Sequence, residues 1–442
     1  LAQLQSLDLR NNQISDIRPL IPLIKNGRTV KFDYSTDGIN LRDNPLTNPP
    51  LEIAKQGNEA ILTYFASLKK GKTITLKEIK ILLIGEGMAG KTSLLKQIKG
   101  LPFSKHESQT HGINIEPLIL GEQTPFQSYH EVADVKGRFW DFGGQEIMHA
   151  SHQFFMTRRA VYILLLDSRT DAKKEYWLQH IHTYGGDNSP LFVVINKIDE
   201  NKSYSIEQRT LNQKYPLIEN RFYRISCKNG EGLEQLFKDI AEVIPETELF
   251  GTKVREEWVF IKDQLEAATE EDNYLDETRF RTICVENKVT DKIEQETLLN
   301  FLHELGIVLH FKNLELQNFY VLDPHWLTVG VYKIINSHEV PDGILKEGQL
   351  DFILNEEETK KEEYDPAGER EFTYNAQEQL YLVKVMEEFE LLYKFADQTY
   401  LVPDLLPKEP KEEVSLNETD EAHIHFILEY DFLPNSIISR FI

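Results

Sequence analysis

A chain of 442 residues with 40% hydrophobic content is too long for one hydrophobic core and apolar enough to build two to four domains. Its formal net charge of −23 excludes a broad basic face for nucleic acid or anionic lipid and points to proteins and small molecules as partners. Two cysteines, Cys227 and Cys284, frame no disulfide scaffold, so a reducing, cytoplasmic setting is expected, and no apolar run reaches the roughly 18 residues of a membrane span.

The chain begins at Leu1 in mid-pattern and stops at Ile442 just after a strand-like run, so both ends are expected to continue in a longer protein. Leu4, Leu7, Leu9, Asn12 and Ile14 fit a leucine-rich repeat, in which alternating leucines line a short strand and the asparagine bonds backbone across the turn. Ile39, Leu41, Asn44 and Leu46 form a weaker copy, for which an ordinary hairpin is the rival reading, and Asn48-Pro49-Pro50 ends the pattern. A stable stack needs more repeats than these, so residues 1–50 are expected to be the end of an array whose ligand is a protein.

Residues 52–69 space Ile53, Ala54, Ala60, Ile61, Tyr64, Phe65 and Leu68 by three and four, which predicts one amphipathic helix linking the array to the next domain over 51–76. From 77 to 246 strands alternate with helices, the pattern of an α/β, mainly parallel, six-stranded sheet whose ligand lies at the strand carboxyl ends. The strands are expected at 79–84, 113–120, 137–141, 160–167, 191–196 and 222–227, the second and third as an antiparallel pair, with a closing helix at 232–244.

The first strand runs into Gly85-Glu86-Gly87-Met88-Ala89-Gly90-Lys91-Thr92 and a helical pattern opening at Ser93. Glycines let successive backbone N–H groups turn inward, and the helix terminus adds partial positive charge, so this loop is a phosphate cradle. Lys91 would reach the β and γ phosphates, and the Thr92 hydroxyl would join a Mg²⁺ shell. A plain glycine turn before a helix is the alternative. Asp141-Phe142-Gly143-Gly144-Gln145 begins where the third strand stops: Asp141 could hold Mg²⁺ through water, the Gly144 amide could approach a γ-phosphate, and Gln145 could orient attacking water. After the fifth strand, Asn196-Lys197-Ile198-Asp199 offers a carboxylate for the N1–H and exocyclic amine of guanine, a pair that adenine lacks. The Lys197 stem would lie on the base and Asn196 would tie neighbouring loops. Ser226-Cys227-Lys228 would close the base pocket with backbone N–H groups.

These motifs, in this order, resemble a Ras-like small GTPase, and Thr110 is then the candidate switch threonine on Mg²⁺ and γ-phosphate. With a leucine-rich array before it and a long extension after it, the chain resembles the Roco family, in which a Ras-of-complex (Roc) domain precedes a C-terminal-of-Roc (COR) domain. Trp140-Asp141-Phe142-Gly143-Gly144-Gln145-Glu146, His152-Gln153-Phe154-Phe155, Leu166-Asp167-Ser168-Arg169 and Val321-Leu322-Asp323-Pro324-His325-Trp326-Leu327 are similar to bacterial-type members. The resemblance implies a slow GTPase using GTP or GDP and Mg²⁺, coupled to homodimerisation through the distal part of COR. Gln145 is retained here although some relatives lack it, and Arg169 is a candidate arginine finger acting across a dimer.

In the extension, 274–287 and 295–305 read as helices, 307–311 and 319–322 as a hairpin, and 324–335 as a helix, a winged-helix pattern. A second such unit is expected over 344–403, with its main helix at 377–389 and wing strands at 391–394 and 399–402, so that 247–407 forms the N-terminal part of COR. Glu296 and Glu304 on one helix, and Glu378, Glu387 and Glu388 against Lys384 alone on the other, would repel phosphate, so packing against protein is favoured over DNA. Residues 408–442 read as a charged linker and the start of a further subdomain; if the family's dimer contact lies there, this stretch of chain would be monomeric or weakly dimeric. A nucleotide-binding scaffold without turnover, an ATPase and a winged-helix nucleic-acid binder are the rival functions. Ile147, Met148, Phe154 and Phe155 are either a surface read by COR or ordinary core.

Overall fold

The computed structural model describes residues 4–407 except 34, 36, 106–112, 144–154, 158–159, 171–172, 186–188, 248–249, 312–318 and 357–371. They fall into two compact units, one up to residue 325 and one from 326 onward.

The first unit opens with β1 (Ser6–Asp8), α1 (Ile21–Lys25), β2 (Val30–Lys31) and β3 (Gly38–Asn40), the strands forming a parallel sheet in the order β1-β3-β2. Both asparagines of the leucine patterns bond backbone: Asn12 Nδ2 donates to Leu9 O at 2.9 Å, and Asn44 Nδ2 donates to Leu9 O at 2.7 Å and Leu41 O at 3.0 Å. The connecting segment is two helices, α2 (Leu51–Lys55) and α3 (Asn58–Ser67), rather than one. Gly57 between them sits at φ +101°, a left-handed conformation that ends the first helix.

Next come β4 (Thr73–Thr75), β5 (Glu78–Ile84), α4 (Lys91–Ile98), β6 (Ile113–Ile119), β7 (Lys136–Phe142), β8 (Val161–Asp167), α5 (Lys174–His180), β9 (Leu191–Asn196), α6 (Gln208–Lys214), β10 (Phe222–Arg224) and α7 (Leu233–Val243). Strands β5 to β10 make the expected six-stranded sheet in the order β10-β9-β8-β5-β7-β6, parallel except for β6 against β7. Strands β5, β8 and β9 are buried along their whole length, as near-continuous apolar runs between two covering layers require. Ile79, Ile81 and Leu83 of β5 point into a core with Leu94, Phe192, Leu236 and Ile240. Each such fully buried side chain contributes roughly 1.5–3 kcal/mol.

The chain continues as β11 (Lys253–Arg255), α8 (Glu256–Ala268), β12 (Tyr274–Asp276), α9 (Glu277–Glu286), α10 (Lys292–Glu304) and β13 (Phe319–Val321). Strand β11 pairs antiparallel with β4, joining the segments on either side of the six-stranded domain. A second core runs through Ile39 and Leu41, Ile61 and Tyr64 of α3, Trp258 of α8 and Leu298 of α10, so the leucine-patterned start and the first helices after the six-stranded domain share one interior. Between that body and the sheet lies a buried ion-pair network. Lys262 Nζ meets Glu78 Oε1 at 2.7 Å, Arg138 Nη2 donates to Glu78 Oε2 at 2.8 Å, and Lys136 Nζ meets Glu266 Oε2 at 2.6 Å.

Three expectations change here. Residues 274–276 are a strand, and the helix starts only at Glu277, where Asp276 Oδ1 accepts from Arg279 N as a side-chain cap. Of the expected 307–311/319–322 hairpin the described residues show one bridge, Leu309 with Val321, and β13 also pairs with β12 on its other edge. Helix α8 had no counterpart in the sequence reading.

The second unit takes up α11 (Pro324–Ile335) from Trp326 and adds β14 (Ile344–Lys346), α12 (Ala376–Glu388), β15 (Tyr393–Ala396) and β16 (Thr399–Leu401), its strands forming an antiparallel sheet in the order β14-β16-β15. Asn375 caps α12 in a capping box: its Oδ1 accepts from Gln377 N and Glu378 N, and Glu378 Oε2 accepts from Asn375 N at 2.7 Å. Gly330 lets α11 approach α12, since a Cβ there would lie 2.5 Å from Leu382.

Candidate functional site

The sheet order reverses at β5, which lies between β7 and β8, and in open α/β sheets that switch point is where a crevice opens beyond the strand ends. The loop leaving β5 is shaped by two glycines. Gly85 sits at φ +141° with Leu165 O 2.2 Å from where a Cβ would be, and Gly90 at φ +97° with Asn196 Nδ2 at 2.3 Å. Met88 is left-handed without being glycine, at φ +64°, and its side chain is exposed, as is Gly87, while Ala89 is buried. A non-glycine residue in that region costs on the order of 1 kcal/mol, which the surrounding contacts must offset.

Lys91 opens α4 and folds back over the loop, its Nζ donating to Gly85 O at 2.8 Å and Glu86 O at 2.9 Å. Burial holds its pKa down to about 8, against the opposing pull of Asp141 and Glu86. An ammonium ion kept in a dry loop with carbonyl partners is suited to an incoming anion. Thr92 Oγ1 donates to Asp141 Oδ2 at 2.6 Å, so two oxygen groups from distant segments meet beside Lys91. Asp141 is fully buried at the end of β7, opposite Leu83 of β5. Ser93 follows on the first turn of α4, partly buried.

The pair Thr92 and Asp141 suits Mg²⁺ held by one hydroxyl and one carboxylate, the rest of the shell being water and phosphate oxygen. No group of three or more His, Cys, Asp or Glu suited to a metal occurs among the described residues, and a site of this kind needs none. Thr110, Gly144 and Gln145 lie outside the described residues, as do Ile147, Met148 and Phe154. Phe155 is described and is core, buried with its ring 5.6 Å from Trp140 and 6.2 Å from Phe142.

On the other side of the loop, Asn196 joins two segments. Its Nδ2 donates to Ala89 O at 2.9 Å, and its Oδ1 accepts from Cys227 N at 3.2 Å. Lys197, left-handed at φ +63°, sends Nζ to Met88 O at 2.5 Å and to Asp167 Oδ2 at 2.9 Å. Asp199 accepts from Ser226 Oγ at 2.6 Å and lies 3.5 Å from Lys228 Nζ. Partial burial opposes its ionisation, but the Ser226 and Lys228 bonds prevail and its pKa is lowered. The carboxylate is therefore charged and held at the pocket wall. Of the three backbone N–H groups expected to face a base, Ser226 N donates to Glu231 O and Cys227 N to Asn196. The expected role narrows to Lys228. The Cys227 thiol is buried and its pKa raised to about 12 by that burial, which removes it from nucleophilic chemistry.

Arg169 does not project as a ready finger. Its Nη2 lies 2.7 Å from Asp167 Oδ2 and its Nη1 3.2 Å from Glu200 Oε2, and these partners raise its pKa, Asp167 most of all. Beyond the residues expected from sequence, Asp167 and Ser168 bond Lys197, and Glu86 Oε1 accepts from Trp177 Nε1 at 3.0 Å, which steadies the loop from α5. The signal for Asp167 was a carboxylate ending an otherwise apolar strand.

Two family descriptions match the chain: "Ras of Complex, Roc, domain of DAPkinase" over residues 80–199, and "C-terminal of Roc, COR-A domain" over 256–406. The solved structure of Methanosarcina barkeri Roco2 RocCORdC bound to GDP is 42% identical and superposes with a TM-score of 0.66, covering 78% of this chain and all of that one. Among curated relatives, a Roc-COR-CHAT protease of Runella zeae is 27% identical over 86% of this chain and 41% of its own length. The probable serine/threonine-protein kinase pats1 of Dictyostelium discoideum is 27% identical over 97% of this chain and 14% of its own. The chain thus spans less than half the length of these curated relatives.

Proposed function

As this chain belongs to the Roco family of Roc–COR proteins, we propose that it binds GTP and GDP with Mg²⁺, hydrolyses GTP slowly to GDP and phosphate, and passes its nucleotide state through COR to conformation and dimerisation. The observation that carries the reading is Asn196, whose one carboxamide bonds Ala89 in the loop after β5 and Cys227 in the loop after β10. A phosphate cradle and a base pocket are thereby fixed at one separation, which suits a nucleotide and not an isolated phosphate.

In this reading the backbone of Gly85, Gly87, Met88, Ala89, Gly90 and Ser93 cradles the phosphates, and Lys91 leaves its loop carbonyls for phosphate oxygens. Thr92 and Asp141 would hold the metal, Asp141 through water. When bound there, Mg²⁺ would supply positive charge to offset what develops on the phosphates. Asp199 accepts from the guanine edge, Lys228 donates from its backbone, Lys197 lines the base and Asn196 holds the walls. Thr110, Gly144 and Gln145 are assigned to the γ-phosphate and the attacking water. Arg169 serves as a finger only if it leaves Asp167 and Glu200. The leucine-patterned end, as part of a repeat array, would bind protein partners, homodimerisation would use the distal part of COR, and the setting would be cytoplasmic. No described helix is long and apolar enough to cross a membrane.

The test is binding of fluorescent GDP and ADP, followed by single-turnover GTP hydrolysis with wild type and Gln145→Leu. Guanine preference lost in Asp199→Asn and hydrolysis lost in Gln145→Leu are expected. No GTP hydrolysis above the uncatalysed rate in either protein would reduce the function to a scaffold.

A further inference from the structure

The turn that ends β8 contributes two buried polar residues, Asp167 and Ser168; Ser168 bonds to the loop after β9, and Asp167 to Lys197 of that loop and to Arg169 beside it. Ser168 N donates to Asn196 O at 3.1 Å, its Oγ donates to Lys197 O at 2.8 Å, and its carbonyl accepts from Asn201 Nδ2 at 2.8 Å. Asp167 Oδ2 accepts from Lys197 Nζ at 2.9 Å and from Arg169 Nη2 at 2.7 Å, while Oδ1 accepts from Arg169 N and Nε, both at 2.9 Å. Burial opposes ionisation of Asp167, but these donors hold its pKa at about 2, so the carboxylate stays charged. Lys197 is gripped at both ends, its backbone carbonyl by Ser168 and its ammonium by Asp167. From that position Nζ spans to Met88 O at 2.5 Å, across the gap between the two loops.

We propose that Asp167 and Ser168 are positioning residues for the guanine nucleotide, holding Lys197 in its left-handed conformation across the pocket so that the wall is set before the nucleotide arrives. The inference rests on the nucleotide reading above and adds the device that sets the retention time. A lysine with a flexible four-carbon stem otherwise loses its rotamer freedom on binding, and a wall organised in advance avoids that loss. Asp167 also carries Arg169, so one carboxylate restrains two cations at the site's edge.

The experiment is release of fluorescent GDP from the whole chain, for wild type, Asp167→Asn, Ser168→Ala, Lys197→Ala and the Asp167→Asn/Lys197→Ala double variant. Asp167→Asn, nearly isosteric, is expected to release GDP about tenfold faster, and the double variant no faster than Lys197→Ala alone, because the carboxylate acts through the lysine. Ser168→Ala reports on the same grip if Asp167→Asn fails to fold. Wild-type release rates in Asp167→Asn, or in Ser168→Ala where only that variant folds, would overturn the proposal. So would a double variant showing the product of the two single effects, the mark of a structural role unrelated to Lys197. Each of those outcomes leaves the nucleotide reading standing. A wild-type chain that takes up no GDP would bring down both.

Discussion

Thr92 and Asp141 are 49 positions apart and directly bonded, hydroxyl to carboxylate at 2.6 Å. Thr92→Val keeps the shape and removes the hydroxyl. The expected result is GDP release accelerated by about 10- to 100-fold, the loss of one well-placed polar group, and no longer sensitive to EDTA. In wild type, EDTA should speed release. Fluorescent GDP dissociation with and without chelator checks this, and a Thr92→Val protein that still responds fully to EDTA would refute the metal assignment.

Lys91 gives a pH dependence. Its folded pKa of about 8 lies below the ordinary 10.5 because burial disfavours the ammonium ion. Between those values the unfolded chain binds more protons, so this group's contribution to stability rises with pH there. Nucleotide binding runs the other way. Phosphates require the charged form, and the free protein progressively loses it above pH 8. GDP affinity should therefore fall between pH 8 and 9 by up to about tenfold, the limit for one proton taken up. A titration series at pH 7, 8 and 9 measures it, and a flat profile would show that Lys91 is not the phosphate cation.

Gly90 and Gly27 are both left-handed, at φ +97° and +85°, but a Cβ at Gly90 would meet Asn196 Nδ2 whereas at Gly27 it meets open space. Each Gly→Ala change should cost roughly 1 kcal/mol through backbone strain. Only Gly90→Ala should also displace the Asn196 tether and lower GDP affinity. Thermal unfolding of the nucleotide-free proteins, set beside their affinities, separates the two effects; equal affinity in both variants would contradict the tether.

The Glu78–Lys262–Arg138 network predicts a stability effect away from the pocket. Lys262→Met leaves Glu78, buried on the inner side of the interface, with one cation fewer, and removing one partner of a buried pair typically destabilises by about 3–5 kcal/mol. Burial raises the Glu78 pKa, but Arg138 and Lys262 outweigh it and the net shift is downward. A depressed carboxylate contributes stability above its unfolded pKa and loses it as pH falls through the folded value. The gap between wild type and Lys262→Met in urea denaturation should therefore narrow as acid protonates Glu78.

Much of the candidate site was legible because the chemistry it suits dictates residue types at short spacing. Gly85 and Gly90 are demanded by φ and by close neighbours, and Asn196-Lys197-Ile198-Asp199 follows an apolar strand ending. The parallel strands were legible for the same local reason. Helix α8 was not, because Lys262 and Glu266 on its buried side are partners of Glu78, Arg138 and Lys136 and look in sequence like a solvated face. Strand β12 was absorbed into a helix because three residues carry no period of their own; its identity comes from β13, a partner about forty residues on. Asp167 was visible as a residue, but its contacts with Lys197 and Arg169 were not.

Strands β4 and β11 hold residues 73–75 beside 253–255, with Thr75 opposite Lys253, while the leucine-patterned start and the helices after β11 share a core of their own. Topologically, the nucleotide module is a cassette inserted at the tip of a hairpin. Its excision, with a short turn joining Thr75 to Lys253, should leave a foldable remainder, and unrelated cassettes could be grafted at the same point.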